Sequence, residues 1–303
     1  MAEGSAQSEP ALVAVAVDEP PVFDDVTRVG PYRVHGHGFV IETNVPEMAR
    51  QLDDRLRDLR TTPADDVDTH FLVARRGPSW MTHPWGVWRN GQPCETTLTG
   101  EYIQPYVLWE VTRLLLETCR PLIPIHAAAV ARDGQAIVLA GVSHAGKSTL
   151  AGWLTAHGWQ FLTDEVALLE RRPDGSVWVH PFWRPIGVRR PGPLDDLITP
   201  PTEDPEVLVP ASALGALGQA APLRAIVLPS RDADVERTLQ PQHPASTARE
   251  LATHLPRLGE DGRAGFRDIV AVVESIPAFA LGVDDLTAAA ATLATLVEHG
   301  PAA

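Results

Sequence analysis

From Gly141 to Thr149 the chain reads Gly-Val-Ser-His-Ala-Gly-Lys-Ser-Thr, and no other stretch constrains the fold as strongly. It fits G-x-x-x-x-G-K-[ST] with Ser148 in the last slot, the pattern of a phosphate-cradling P-loop between a strand and a helix. Gly141 and Gly146 let the backbone turn tightly and bring bare N–H groups to anionic oxygens. A lysine at position 147 reaches β- and γ-phosphates, and the Ser148 hydroxyl suits Mg²⁺. The flanks agree with this reading. Gln135–Ala140 is a short apolar run that ends at the loop, and beyond it Leu150, Trp153, Leu154 and His157 recur at helical spacing until Gly158. A helix starting at the loop adds its positive end to the same place. The candidate nucleotide-binding residues are therefore Gly141, Val142, Ser143, His144, Ala145, Gly146, Lys147, Ser148 and Thr149.

Charge narrows the partners. The 303 residues carry a formal net charge of −14 with no block of Lys or Arg, which argues against a nucleic-acid groove or a polybasic membrane surface. The two cysteines, Cys94 and Cys119, have no metal-ligand spacing, so a reducing, cytoplasmic setting is expected. The N-terminus lacks a basic signal region, and no apolar run approaches bilayer-spanning length.

In order along the chain, residues 1–28 are expected to form a loose tail, residues 29–119 a small α+β unit, and residues 120–300 a catalytic domain. Tyr32–Thr43 reads as a strand, Pro46 opens a helix with Met48, Leu52, Leu56 and Leu59 on one face, and His70–Ala74 is a second strand. Trp85–Trp88 with Asn90-Gly91 marks a hairpin, and a Leu-rich helix follows over Tyr106–Cys119. Trp80, Trp85 and Trp88 offer a ligand groove and Cys94 a reactive thiol, but core or edge packing is the favoured reading of all four; His35 and His37 make a weak metal pair. His126–Ala131 is expected as a strand, joined through Asp133-Gly134 to Gln135–Ala140. Trp159–Thr163 is a short strand ending at Asp164-Glu165, where a carboxylate pair faces a γ-phosphate across the crevice. Val166–Leu169 and Ser176–Val179 pair around Asp174-Gly175. Pro191–Pro210 reads as a mobile loop, Ala225–Leu228 as a strand, and Thr247 with Glu250 as a capping box. Val270–Val273 extends that helix or forms a strand, and Asp284 or Asp285 caps a last one. The acidic pairs Asp53-Asp54, Asp65-Asp66 and Asp195-Asp196 read as solvated faces.

The order of His126, the loop through Thr149, and Thr163-Asp164-Glu165-Val166 resembles the catalytic domain of the HPr kinase/phosphorylase family. It resembles more closely the HPr-kinase-related proteins of peptide-modification gene clusters, including lasso-peptide kinases. Pro181–Ile186 and Ile276–Leu281 share the likeness, which spans about residues 120–297. The resemblance implies an α/β fold with a P-loop kinase core of the HPr kinase C-terminal-domain type. It implies that Lys147 holds the β/γ-phosphates, that Ser148, Asp164 and Glu165 hold Mg²⁺, and that Asp164 takes the proton of an attacking hydroxyl. His126 would orient the acidic pair. Which carboxylate is the base stays open at this stage. The family commonly has two aspartates where Asp164-Glu165 stands, and a small residue in place of His144. No Glu-x-Arg-Gly-x-Gly stretch is present, which removes the motif tied to phosphorylase activity. Positive charge near the γ-phosphate is assigned to Arg184, with Arg189 and Arg190 as alternatives.

The leading expectation is an ATP- and Mg²⁺-dependent kinase acting on a serine of a peptide or small protein. A small-metabolite kinase (free serine or sugar type) and a non-catalytic nucleotide-binding scaffold of a maturation complex are the alternatives. A homo-oligomer is compatible with the resemblance.

Overall fold

Two-residue turns set the strand pairing in this protein. The computed structural model describes residues 19–62, 66–77, 84–198, 204–232, 235–256 and 258–300. Its first sheet holds β1 (Thr27–Val34), β2 (His37–Thr43), β3 (Thr69–Arg75), β4 (Trp85–Arg89) and β5 (Gln92–Leu98), in that spatial order. Tyr32–Thr43, expected as one strand, is instead most of a hairpin. His35 (φ 42°) and Gly36 (φ 83°) both take left-handed backbone and fold the chain back, a turn usually signalled by Asn or Asp before the glycine. Asn90 (φ 50°) and Gly91 (φ 77°) do the same between β4 and β5. Helix α1 (Pro46–Arg55) buries Met48, Ala49 and Leu52, and α2 (Ile103–Thr118) buries an apolar face against the same sheet. Trp85 and Trp88 are core residues, while Trp80 and Asp65 lie outside the described residues, as does the tail up to residue 18.

The larger, ten-stranded sheet mixes parallel and antiparallel pairs. It begins with β6 (Ile123–Ile125), β7 (Ala128–Arg132) and β8 (Gln135–Leu139), the last two joined at Asp133-Gly134. The expected strand His126–Ala131 is broken at its start. β6 pairs with β10 (Ala167–Arg171), whereas β7 pairs with β8 and with β9 (Gln160–Thr163), so the chain changes neighbours at His126. The His126 N–H there donates to the His254 carbonyl at 2.7 Å. Helix α3 (Lys147–Ala156) follows the loop after β8. β11 (Val177–His180) pairs with β10 around Asp174-Gly175. β12 (Ile186–Arg189) and β13 (Glu206–Val209) form a separate two-stranded ribbon. Part of the stretch expected as a mobile loop is thus a strand, and Leu194, Ile198 and Val209 bury apolar side chains with Phe161 and Ile186.

β14 (Ala216–Leu217) lies beside β9, and the long β15 (Ala221–Ser230) runs parallel to β8. β16 (Gln240–Pro241) and β17 (Ala278–Gly282) complete the sheet. Helix α4 (Pro244–Thr253) does not start at Thr247. Pro244, whose ring presets φ for a helix, occupies the first turn, and His243 accepts from the Ala245 N–H. Thr247 is left inside the helix and buried. Val270–Val273 belongs to α5 (Leu258–Ser275), which is kinked at Gly262. Helix α6 (Leu286–His299) is capped by Asp285, whose carboxylate accepts from the Thr287 and Ala288 N–H groups at 3.0 Å. Asp285→Ala is expected to lower stability by about 1 kcal/mol in urea unfolding, since those donors lose their partner. The architecture is mixed α/β, and among the described residues no helix is long and apolar enough to cross a membrane.

Candidate functional site

Strand β8 ends in the middle of the sheet, and the chain from Gly141 to Gly146 bends around the Lys147 ammonium. Gly141 (φ 136°) and Gly146 (φ 99°) hold backbone that a side chain resists. At Gly146 a Cβ would also stand 3.3 Å from Arg231 Nε. Lys147 is buried, and its Nζ donates to the carbonyls of Gly141 at 2.7 Å and Val142 at 3.0 Å. Burial pulls its pKa down, against the opposing pull of Glu165 and Glu250.

A cavity of about 310 Å³ opens in front of this loop. Ser143, His144, Gly146, Lys147, Ser148 and Thr149 line one side, and His126, Asp164, Glu165 and Arg184 line another. Of the nine loop residues expected to bind nucleotide, Gly141, Val142 and Ala145 do not face the cavity, though the first two contribute the carbonyls that hold Lys147. The ribbon closes a third side with Gly187, Arg189 and Glu206. Arg190 turns away to Asp195, 3.3 Å distant, so Asp195 is half of an ion pair while its neighbour Asp196 is exposed, as expected of a solvated face. Asp53 likewise accepts from Tyr32 Oη at 2.7 Å.

The two carboxylates differ sharply in their partners. Glu165 lies 3.3 Å from Arg184 Nη1 and 3.6 Å from His126 Nδ1, so a guanidinium and an imidazole bracket it. Asp164 is 7% exposed, and its Oδ1 is buried with no hydrogen-bond partner. Burial raises its pKa from the ordinary carboxylate range to about 7; Arg184 opposes the rise, Glu165 adds to it, and a backbone hydrogen bond from Gly187 opposes it. Burial lowers the pKa of His126, with Glu165 pulling the other way and Lys147 adding to the fall. Asp164 is therefore the carboxylate with one buried oxygen left without a hydrogen-bond partner and a pKa raised by burial toward neutral pH.

The same donor set fits a hard divalent cation. Ser148 offers a hydroxyl, Asp164 an unpartnered carboxylate oxygen and Glu165 a second carboxylate. Among the described residues no group of three or more His, Cys, Asp or Glu side chains forms a metal cluster. A cation held by these groups would need its remaining oxygens from phosphate and water, the kind of ligand set Mg²⁺ takes.

Two cationic side chains at the rim depend on tertiary packing. Arg189 pairs with His144 Nδ1 and lies 4.0 Å from Glu206. His144 itself has φ 67° and faces the ribbon. Arg231, absent from the sequence-based candidates, lines the cavity and donates to Thr149 Oγ1 at 3.4 Å. Its position immediately after β15, the parallel neighbour of β8, is the signal that marks it, because the carboxyl ends of parallel strands face ligands.

Other sequence-based candidates fall outside the cavity. Cys94 is only partly buried, yet desolvation and Glu110 push its thiol up to about 11, which suppresses thiolate reactivity. His37 bonds to Thr69 Oγ1 at 3.0 Å, and its Nδ1 lies 3.6 Å from Asp68.

Residues 106–287, well over half of the chain, match the family described as SynChlorMet cassette protein ScmC. Among solved structures, the Hpr(Ser) kinase/phosphatase from Coxiella burnetii is similar over 57% of this chain and 94% of its own length. The identity is 13% and the TM-score 0.35, too distant a likeness to decide function. No curated protein matches the chain.

Proposed function

We propose that this chain, which belongs to the SynChlorMet cassette protein ScmC family, is a kinase that moves the γ-phosphate of ATP to a hydroxyl of a peptide or small protein. The observation that carries the reading is the Asp164 carboxylate, with a buried, unpartnered oxygen, opening on the same cavity as Lys147 and Ser148. A pure nucleotide-binding scaffold has no need of such a proton acceptor beside the loop.

In this reading Lys147 and the cavity-facing part of the Gly141–Thr149 loop bind the β/γ-phosphates as a P-loop. Lys147 leaves its two carbonyls for the phosphate oxygens. Mg²⁺, held by Ser148 with help from Asp164 or Glu165, would neutralise charge on those oxygens. Asp164 accepts the proton from the acceptor hydroxyl as that oxygen attacks the γ-phosphorus, and ADP leaves. Glu165, bracketed by Arg184 and His126, holds those two groups in register. Arg184 and Arg189 supply positive charge to the transferred group. The work is positioning and charge stabilisation, which is what phosphoryl transfer requires.

Intact-mass analysis tests this directly. Purified protein with Mg·ATP is expected to add a phosphate to serine-containing peptides. Addition to free serine or a sugar alone would make it a metabolite kinase, and ATP binding with no acceptor modified would leave only the scaffold role.

A further inference from the structure

A second cavity, about 480 Å³, lies on the far side of His126 and Glu165, which line both cavities. Its walls come from α2 and from the segment after α4. Trp109, Thr112 and Leu116 recur at i, i+3 and i+7 and so share one face of α2, while His254, Leu255 and Pro256 stand opposite. The groove is joined to the phosphate site by more than proximity. Thr112 Oγ1 accepts from Arg184 at 3.3 Å, and Arg184 lies 3.3 Å from Glu165. His126 N–H donates to the carbonyl of His254.

The chemistry of the groove selects its occupant. Trp109 is 53% exposed, although the opposite side of α2 is packed in the core. Tryptophan, with a large apolar ring and one polar N–H, is among the residues enriched at interaction surfaces. Arg113, the arginine that the described residues place in the lining, is committed: it pairs with Glu110 at 2.8 Å, lies 3.9 Å from Glu117, and stacks over the Trp109 ring at 5.5 Å. Among the described residues an acidic ligand finds no uncompensated arginine or lysine in the lining and meets the Glu165 carboxylate there, whereas an apolar one finds Trp109, Leu116, Val166, Leu255 and Pro256. The volume falls in the range of small-ligand sites, roughly 300–1,000 Å³, and exceeds what free serine needs.

We propose that this groove seats the acceptor, a peptide whose phosphorylated Ser or Thr is flanked by an apolar or aromatic side chain. That side chain packs on Trp109 and Leu255, and the hydroxyl passes the His126–Glu165 wall to reach Asp164. The inference rests on the kinase reading and adds the acceptor's class to it.

The experiment uses the full chain, Mg·ATP and a peptide series identical except for the residue beside a single serine. Leu, Phe or Trp at that place is expected to give kcat/KM about tenfold above Asp or Lys. Trp109→Ala is expected to erase that preference through KM, with the Kd for ATP unmoved, and Trp109→Phe to keep most of it. Because Trp109 is half exposed, the alanine variant retains its packed core. Equal use of all peptides, an undiminished preference in Trp109→Ala, or free serine serving as well as any peptide would overturn the groove assignment while leaving the kinase in place. ATP bound with no acceptor phosphorylated would remove the kinase reading itself.

Discussion

Asp164→Asn is expected to cut phosphoryl transfer by roughly 10²–10⁴-fold while making the protein more stable at neutral and alkaline pH. Both effects have one cause. The Asp164 carboxyl is buried, and the fold raises its pKa from 3.8 to about 7. Between those values the folded chain holds a proton that the unfolded chain has lost, so stability falls as pH rises from about 4 to about 7. Above pH 7 the buried charge carries its whole penalty, on the order of 4 kcal/mol at about 1.4 kcal/mol per unit. Asparagine has no charge to desolvate. Its melting temperature at pH 8 is expected to exceed the parent's by several degrees, at roughly 2–4 °C per kcal/mol, and the gap to shrink as pH approaches 4. Calorimetry across that range checks it, and a variant less stable than the parent at pH 8 would show that Asp164 has a structural role. The parent's kcat/KM is expected to climb with pH through about 7, the value at which this base loses its proton.

Lys147→Ala is expected to lose transfer by roughly 10²–10³-fold, the usual consequence of removing a preorganised charge from a transition state. Stability, by contrast, is expected to change little. The buried ammonium is held by the Gly141 and Val142 carbonyls, and it borders an open cavity from which water can replace it. Its removal also ends the desolvation of a cation. A small change in melting temperature together with a large fall in Mg·ATP affinity by titration calorimetry is the expected pair. Normal ATP affinity in Lys147→Ala would mean the loop binds something else.

Local chemistry makes part of this site legible. The glycines at 141 and 146 sit where positive φ is needed, and Asp133-Gly134 and Asn90-Gly91 turn as their residue types dictate. Asp164 and Glu165 follow a short strand whose end meets the loop. The rest depends on contacts distant in sequence. Nothing near Thr163 distinguishes Asp164 from Glu165; the difference comes from the burial of Asp164 and from Arg184 and His126, which reach Glu165 from separate segments. The ribbon that brings Arg189 and Glu206 to the cavity runs through a stretch rich in Pro and acid, where strand periodicity is faint. The His35-Gly36 turn hides for a local reason, since histidine seldom takes the first place of such a turn. The Thr247-x-x-Glu250 spacing misleads because Pro244, with φ already set for a helix, starts α4 a turn earlier.

The most direct test follows the γ-phosphate of labelled ATP in the parent protein, Lys147→Ala and Asp164→Asn, each with Mg²⁺ and an apolar-flanked serine peptide. Label is expected in the peptide with the parent alone, and ATP is expected to remain bound by Asp164→Asn. Label transferred at full rate by Asp164→Asn would contradict the assignment of the base, and label that never leaves ATP with any protein would contradict the kinase.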